Sequence, residues 1–484
     1  GRVANTNRIF LEFFMHTFDE LKARAEAHGQ GHVFNFFHDL NDAGKAKLLA
    51  QVAAVEFDVV DKLVAEFVKA TAPAVSASNL SPAPVVPLPS NDDQRQALRG
   101  ARSAGEEAFR RGRIACFLVA GGQGTRLGLN GPKGAFKIGP ISGRTLFQIH
   151  AEKVRALRRQ YNAGVPWLIM TSDANDAETK AFFDASSYFG LGADTVRIFK
   201  QANMPAVGRD GKILMQSKGE IALSPNGHGG SIKALHDSGA TAWLRTQGVD
   251  TLFYFQVDNC LTQIGDPAFI GWHLLAESKM SSKACRKRDW KEKVGVFGTI
   301  DGKLNVIEYS DLPETSARET LLDGSLQWWA GSIAIHVIDL GFIEQLNKGG
   351  FQLPYHKAEK AVPCIGADGA PMVFKPGEKN GIKFETFVFD ALAQADRTIT
   401  VETRRDEDFS PVKNADGEDS PATAKRDMQE LYARWLSAAG TRIPRKADGA
   451  LDCTIEISPL TSLEGEELAG KAPGEIAPGA VVKL

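Results

Sequence analysis

Ile114-Ala-Cys-Phe-Leu-Val119 runs straight into Ala120-Gly-Gly-Gln-Gly-Thr-Arg-Leu-Gly128, and this stretch decides the fold. Six apolar residues with no helical period, closed by glycines, read as a strand buried on both faces, as in a parallel sheet. In the turn that follows Ala120, glycines at 121, 122 and 124 leave backbone N–H groups uncovered by any Cβ, so they can converge on an anionic oxygen. Arg126 adds a fixed positive charge beside them. A few residues on, Gly131-Pro-Lys133-Gly134 forms a second turn that presents a lysine. An arginine and a lysine in successive turns after one strand make a clamp for a polyphosphate. The turn is not a P-loop, because no Gly-Lys-Ser/Thr follows at the required spacing. It is not a dinucleotide fingerprint either, since Leu127 stands where the third glycine belongs. A tight strand-to-helix turn with no ligand is the plain alternative.

Outward from this stretch, residues 102–398 alternate strand and helix. Strands are expected at 114–119, 167–171, 196–200, 252–257, 294–298, 304–309, 333–338 and 399–403, and helices at 145–160, 175–185 and 231–246. That alternation implies an α/β fold with a mostly parallel central sheet, whose ligands sit beyond the carboxyl ends of the strands. Before it, residues up to about 70 read as helix, with Phe10, Phe14, Phe18 and Leu21 on one face and Val52, Val59, Leu63 and Phe67 on another. Prolines at 73, 82, 84, 87 and 89 make residues 72–90 an extended strap. After the sheet come one more helix at 425–439 and short β segments that include Cys453-Thr-Ile-Glu-Ile457. The expected domains are a helical segment with linker (1–100), a catalytic domain (101–398) and a small β domain (399–484).

The totals exclude several functions. With 57 Lys+Arg against 59 Asp+Glu, the net charge is −2, which argues against a general nucleic-acid binder. No stretch of 18 apolar residues predicts a membrane span, and the apolar cluster of residues 9–15 is broken by Glu12 and lacks a cleavage site. Five scattered cysteines without a Cys-x-x-Cys pair suit reduced thiols, hence the expectation of a cytoplasmic protein.

The run Leu118-Val-Ala-Gly-Gly-Gln-Gly-Thr-Arg-Leu-Gly128 with Pro132-Lys133-Gly134 resembles the signature of the uridylyltransferases that make UDP-sugars. Among these it is most similar to the eukaryotic-type UDP-N-acetylhexosamine pyrophosphorylases, and the similarity covers most of the chain. The resemblance implies a Rossmann-like nucleotidyltransferase domain and assigns residues that lie after the strands. Gln201 matches the glutamine that reads uracil, whose imide edge suits an amide. Gly227, in Ser224-Pro-Asn-Gly-His-Gly-Gly230, matches a base-contacting glycine, and His228 stands where the animal enzymes carry asparagine. Asp258-Asn259 matches the metal-holding segment, which implies Asp258 as the metal ligand and Asn259 as a substrate contact. A carboxylate facing a polyphosphate needs a cation, and Mg²⁺ takes one or two carboxylates plus phosphate oxygens and water. Glu308, Gly331 and Ser332 match sugar-pocket positions, with Ser332 in place of the animal enzymes' asparagine. Lys383 matches a lysine that reaches the phosphates, and Lys413 lies in a segment that returns toward the cleft.

The expected reaction is UTP plus a sugar 1-phosphate giving UDP-sugar and pyrophosphate, with N-acetylglucosamine 1-phosphate as the first candidate. Arg126, Lys133, Lys383 and Mg²⁺ on Asp258 would screen the meeting of two anions. A preference for glucose or galactose 1-phosphate, or for several sugars, stays open. So does a catalytically silent nucleotide-sugar-binding protein, against which the retained cations speak. Nothing in the sequence addresses oligomeric state.

Overall fold

The structure, a computed structural model, describes residues 17–69, 79–375 and 377–484. The stripe positions Phe10 and Phe14, and residues 72–78 of the linker, lie outside them. The described chain divides into two compact units.

The larger unit (residues 77–201, 231–353 and 388–484) is built on a ten-stranded sheet. Its strands are β1 (Leu80–Pro82), β2 (Ile114–Val119), β3 (Trp167–Thr171), β4 (Val196–Lys200), β5 (Thr251–Gln256), β6 (Met280–Arg286), β7 (Val296–Ile300), β8 (Lys303–Ile307), β9 (Ala330–Asp339) and β10 (Thr398–Thr403). Strands β5, β2, β3 and β4 lie side by side and parallel. Beyond β5, β9 pairs antiparallel with β5, β6 and β7, while β10 runs parallel to β6. The proline-rich linker does become a strap: β1 pairs with β7, and Val86 bridges Val401.

Period-two alternation places the two faces of β2 in different cores. Ile114, Cys116 and Leu118 pack with Trp167, Phe253 and Phe255, whereas Ala115 and Phe117 pack with Leu168, Met170 and Tyr254. The covering helices are α1 (Asp92–Arg110), α2 (Leu146–Tyr161), α3 (Asp176–Ala185), α4 (Gly230–Asp237), α5 (Ala240–Thr246), α6 (Pro267–Leu275), α7 (Leu340–Asn347) and α8 (Pro421–Ala438). The single helix expected at 231–246 is two, broken at Gly239 (φ 73°). Helix α6 begins on a proline and was not expected from the sequence. Asp266 caps its start, accepting from the N–H groups of Ala268 and Phe269. Helices α1 and α6 touch backbone to backbone: a Cβ on Gly105 would stand 1.9 Å from the Pro267 carbonyl oxygen, and one on Gly271 1.6 Å from that of Ala101.

The C-terminal residues do not form a core of their own. Tyr432, Leu436, Ile455 and Ile457 belong to the same buried cluster as Phe255 and Phe269. Nor do the N-terminal helices stand alone. They form the smaller unit together with residues 202–230 and 354–387. Leu21, Val52, Phe57 and Leu63 there share a core with Val207, Ile213 and Phe384. The three consecutive domains expected from the sequence are thus replaced by two units, one of them assembled from separated segments. All five cysteines are free thiols. Among the described residues no helix is long and apolar enough to cross a membrane.

Candidate active site

Adjacent parallel strands β2 and β5 end in the two turns that matter. In the glycine turn after β2, the N–H groups of Gly121, Gly122, Gln123, Thr125 and Arg126 have no hydrogen-bond acceptor among the described residues. Gly124 departs from expectation: its N–H donates to the Gly131 carbonyl at 2.9 Å. Its lack of a Cβ serves packing, because one would stand 2.8 Å from the Leu129 side chain. Gly122, by contrast, faces open space. The Lys133 N–H donates to the Gly122 carbonyl at 3.1 Å, so the two turns form one short ladder. Arg126 is exposed and has no ion pair or side-chain hydrogen bond among the described residues.

Lys133 reaches from the second turn to the end of β5. Its Nζ lies 3.4 Å from Asp258 Oδ2, with the side chains 17% and 15% exposed. Asp258 stands two residues beyond Gln256, which pairs with Val119 next to Ala120. A cation and a carboxylate therefore meet beside the row of uncovered N–H groups.

The Asp258 turn is held from three directions, mostly by groups that carry no motif in the sequence. From α2, buried His150 donates through Nε2 to the Val257 carbonyl at 3.0 Å. Burial, with Lys153 nearby, pushes this imidazole down to about 3, so it is neutral and carries its proton on Nε2. Lys153 donates to the carbonyls of Cys260 and Thr262, both at 2.8 Å, and burial lowers its pKa to about 8. Asn259 was expected to touch substrate, but the structure uses its amide internally. It donates to the Asp408 carbonyl at 2.6 Å, accepts from the Ser410 N–H at 2.9 Å, and is buried. The Val412 N–H donates to the Asp258 carbonyl at 2.9 Å.

The charged run at 404–413 is therefore a brace. Its Asp408 is wholly buried and bonds Lys283 of β6, which also pairs with Asp266 at 2.7 Å. Burial alone would lower the Lys283 pKa, yet the two carboxylates raise it above the usual lysine value. Arg405 grips Glu292 at 2.8 Å. Lys413 is partly exposed and lies 3.8 Å from Asp419.

Gln201 follows β4 and is buried, with Oε1 3.4 Å from where a Cβ of Gly121 would stand. The structure thus brings the expected uracil reader to the glycine turn. Behind that turn, Ser172 donates to the Gly121 carbonyl at 2.7 Å, and Asn175 donates to the carbonyls of Ala120 and Gly122 at 2.9 and 3.1 Å. Asp173, between these two residues, pairs with Lys200 at 2.8 Å.

Across β5, the antiparallel register of β9 turns its first residues toward the Asp258 end of the sheet. The Ser332 N–H donates to the Gly295 carbonyl at 2.8 Å, and a Cβ on Gly295 would lie 3.5 Å from Glu308 Oε1. Glu308 and Ser332 therefore flank one glycine. Gly331 is buried against Val294 and the Cys285 carbonyl.

Gly227, His228 and Lys383 lie in the smaller unit. Gly227 has φ 82°, and a Cβ on it would stand 2.3 Å from the Thr386 carbonyl oxygen. The Gly229 N–H donates to that same oxygen at 2.8 Å. The strand that carries Lys383 (Gly381–Glu385) thus ends against the second glycine-rich turn. Lys383 itself pairs in register with Ala358 of the neighbouring strand. The His228 ring lies 5.3 Å from that of Phe387, and burial pushes its pKa down to about 4.

Comparison with known proteins agrees with this geometry. The family model described as UTP--glucose-1-phosphate uridylyltransferase matches residues 62–419. The human UDP-N-acetylhexosamine pyrophosphorylase-like protein 1 is 34% identical over 93% of this chain and 94% of its own length. The UDP-N-acetylglucosamine pyrophosphorylase of Saccharomyces cerevisiae is 36% identical over 75% of this chain and 77% of its own. A crystal structure of the uridine diphosphate N-acetylglucosamine pyrophosphorylase from Trypanosoma brucei, in complex with inhibitor, superposes with a TM-score of 0.79 at 29% identity, covering 97% and 99% of the two chains. A match of this extent, on a sheet edge that gathers uncovered N–H groups, a lysine and a carboxylate, means that the chain belongs to the UTP--glucose-1-phosphate uridylyltransferase family of UDP-sugar pyrophosphorylases and is a nucleotidyltransferase.

Proposed function

We propose that this enzyme transfers the uridylyl group of UTP to N-acetylglucosamine 1-phosphate, releasing pyrophosphate, and that it works in the cytoplasm. The observation that carries the reading is the meeting of Lys133 and Asp258 at 3.4 Å beside the uncovered N–H row. The N-acetylhexosamine and N-acetylglucosamine names of its relatives supply the sugar.

The attacking group is a phosphate oxygen of the sugar 1-phosphate, already ionised at neutral pH. It forms a bond to the α-phosphorus of UTP as the bond to the bridging oxygen breaks, and pyrophosphate leaves with that electron pair. No general base is required, so the protein's task is to hold and neutralise anions. Uncovered N–H groups at 121–123 donate to a phosphate oxygen, while Arg126 and Lys133 supply positive charge. Gln201 reads uracil through its amide, and Glu308 with Ser332 contacts sugar hydroxyls.

Among the described residues no group of three or more His, Cys, Asp or Glu side chains forms a metal cage. A single carboxylate, Asp258, fits Mg²⁺, which completes its shell with phosphate oxygens and water. When bound there, Mg²⁺ would neutralise charge on the phosphates. Pyrophosphate release from UTP, measured across a panel of sugar 1-phosphates with and without Mg²⁺, tests the reading. N-acetylglucosamine 1-phosphate should be turned over fastest and only with the metal. A clear preference for glucose or galactose 1-phosphate would overturn the sugar assignment, and no release with any sugar would overturn the activity.

A further inference from the structure

Asn175 occupies the position that should cap α3, yet its side chain makes no capping bond to that helix. It is 1% exposed and points the other way. Its Nδ2 donates to the carbonyls of Ala120 (2.9 Å) and Gly122 (3.1 Å), and its Oδ1 accepts from the Ser172 N–H at 3.0 Å. The carbonyl between them, that of Gly121, is taken by the Ser172 hydroxyl at 2.7 Å. Three consecutive carbonyls are thus captured by two residues that follow β3, the last of them shared with the Lys133 N–H at 3.1 Å.

In a trans peptide the carbonyl of one residue and the N–H of the next lie in one plane and point in opposite directions. Fixing the carbonyls of 120, 121 and 122 therefore fixes where the N–H groups of 121, 122 and 123 aim. Those three are among the donors that have no acceptor in the described protein. A glycine-rich segment left to itself would sample many conformations and lose entropy on binding an anion. This one is pre-set from behind.

We infer that Asn175 and Ser172 are positioning residues that preorganise the glycine turn as a phosphate cradle, without touching the nucleotide themselves. The inference rests on the proposed reading of the turn as the UTP phosphate site. Asn175→Asp tests it, because the carboxylate keeps the acceptor for Ser172 but loses both donors and faces two carbonyl oxygens. Ser172→Ala removes the hold on Gly121 alone, and Ser172→Thr keeps the hydroxyl.

UTP affinity by calorimetry and uridine affinity by ligand-observed NMR are measured on the full chain. UTP binding should weaken about tenfold in Asn175→Asp and about threefold in Ser172→Ala, and stay near wild type in Ser172→Thr. Uridine binding, which needs no phosphate cradle, should be unchanged throughout. Should Asn175→Asp not fold, the Ser172 pair decides by the same criterion. Unchanged UTP affinity in folded Asn175→Asp and Ser172→Ala overturns the inference, as does an equal loss of UTP and uridine, which marks a general structural role. A wild-type protein that binds neither ligand overturns the phosphate-site reading, and the inference falls with it.

Discussion

Two neighbouring turns, delivered by adjacent strands, are built on opposite plans. The glycine turn after β2 leaves a row of donors uncovered and an arginine exposed, and is held through its carbonyls by Ser172, Asn175 and the Lys133 turn. The Asp258 turn after β5 is locked from three directions, by His150 and Lys153 of α2, by its own Asn259, and by the segment around Asp408. The first turn stores binding capacity, and the second stores position. The proposed reaction, which would hold a flexible polyphosphate against one carboxylate, calls for both, because attraction without a fixed reference does not define an in-line approach.

The sharpest way to break the comparison is to unlock the second turn. Lys283→Met leaves buried Asp408 and its neighbour Asp266 facing each other without a cation. Removing one partner of such a buried pair is expected to cost about 3–5 kcal/mol of stability. A denaturant midpoint read at constant m-value measures it, and a loss below about 1 kcal/mol would show that the brace is not what holds the turn. Arg126→Ala is the complementary change, in the turn proposed to bind phosphate. Turnover should fall by about 10²–10³, by analogy with loss of one oxyanion donor. The unfolding midpoint should not move, since the side chain is exposed and has no ion pair among the described residues. Near-wild-type turnover, or a large drop in stability, would remove Arg126 from the proposed phosphate-binding set.

The same contrast explains what was legible in the sequence. The chemistry of the glycine turn lies in residues close together along the chain, so Gly121, Gly122, Arg126 and Lys133 read as a unit from the amino-acid order alone. Strand β2 was equally plain, because a strand buried on both faces is written in apolar letters alone. Strand β6 was invisible for the opposite reason. Met280-Ser-Ser-Lys-Ala-Cys-Arg286 looks like a surface segment, yet Ser281 meets His273 at 2.8 Å, Ser282 meets His336 at 2.9 Å, and Lys283 meets two carboxylates. Polar residues enter a core when partners satisfy them, and those partners come from α6, β9 and the 400s, far apart in sequence. Asn259 misled for a related reason. It adjoins the candidate metal ligand, but its amide is consumed by backbone 149 and 151 residues away. Asn175 carried no signal beyond that of a helix cap, a role its side chain does not take.

The smallest expected effect comes from two buried neutral histidines, His150 behind the Asp258 turn and His273 of α6. Burial pushes His273 down to about 4 and His150 down to about 3, against an ordinary value of 6.5. Both folded values lie below the unfolded one, so the unfolded chain takes up protons first as the pH falls. Stability is therefore complete above about pH 6.5 and declines through the window from 6.5 toward 4, with each histidine adding at most about 1.4 kcal/mol per pH unit of slope. His273→Asn preserves a partner for the Ser281 hydroxyl, which His273 Nδ1 meets at 2.8 Å, and removes one titrating group. Urea midpoints at pH 7.5, 6.5 and 5.5 should fall with pH in the wild type and fall less steeply in the variant. Midpoints level down to pH 5.5 would mean that these imidazoles accept protons in the folded state, and the neutral lock on the second turn would have to be redrawn.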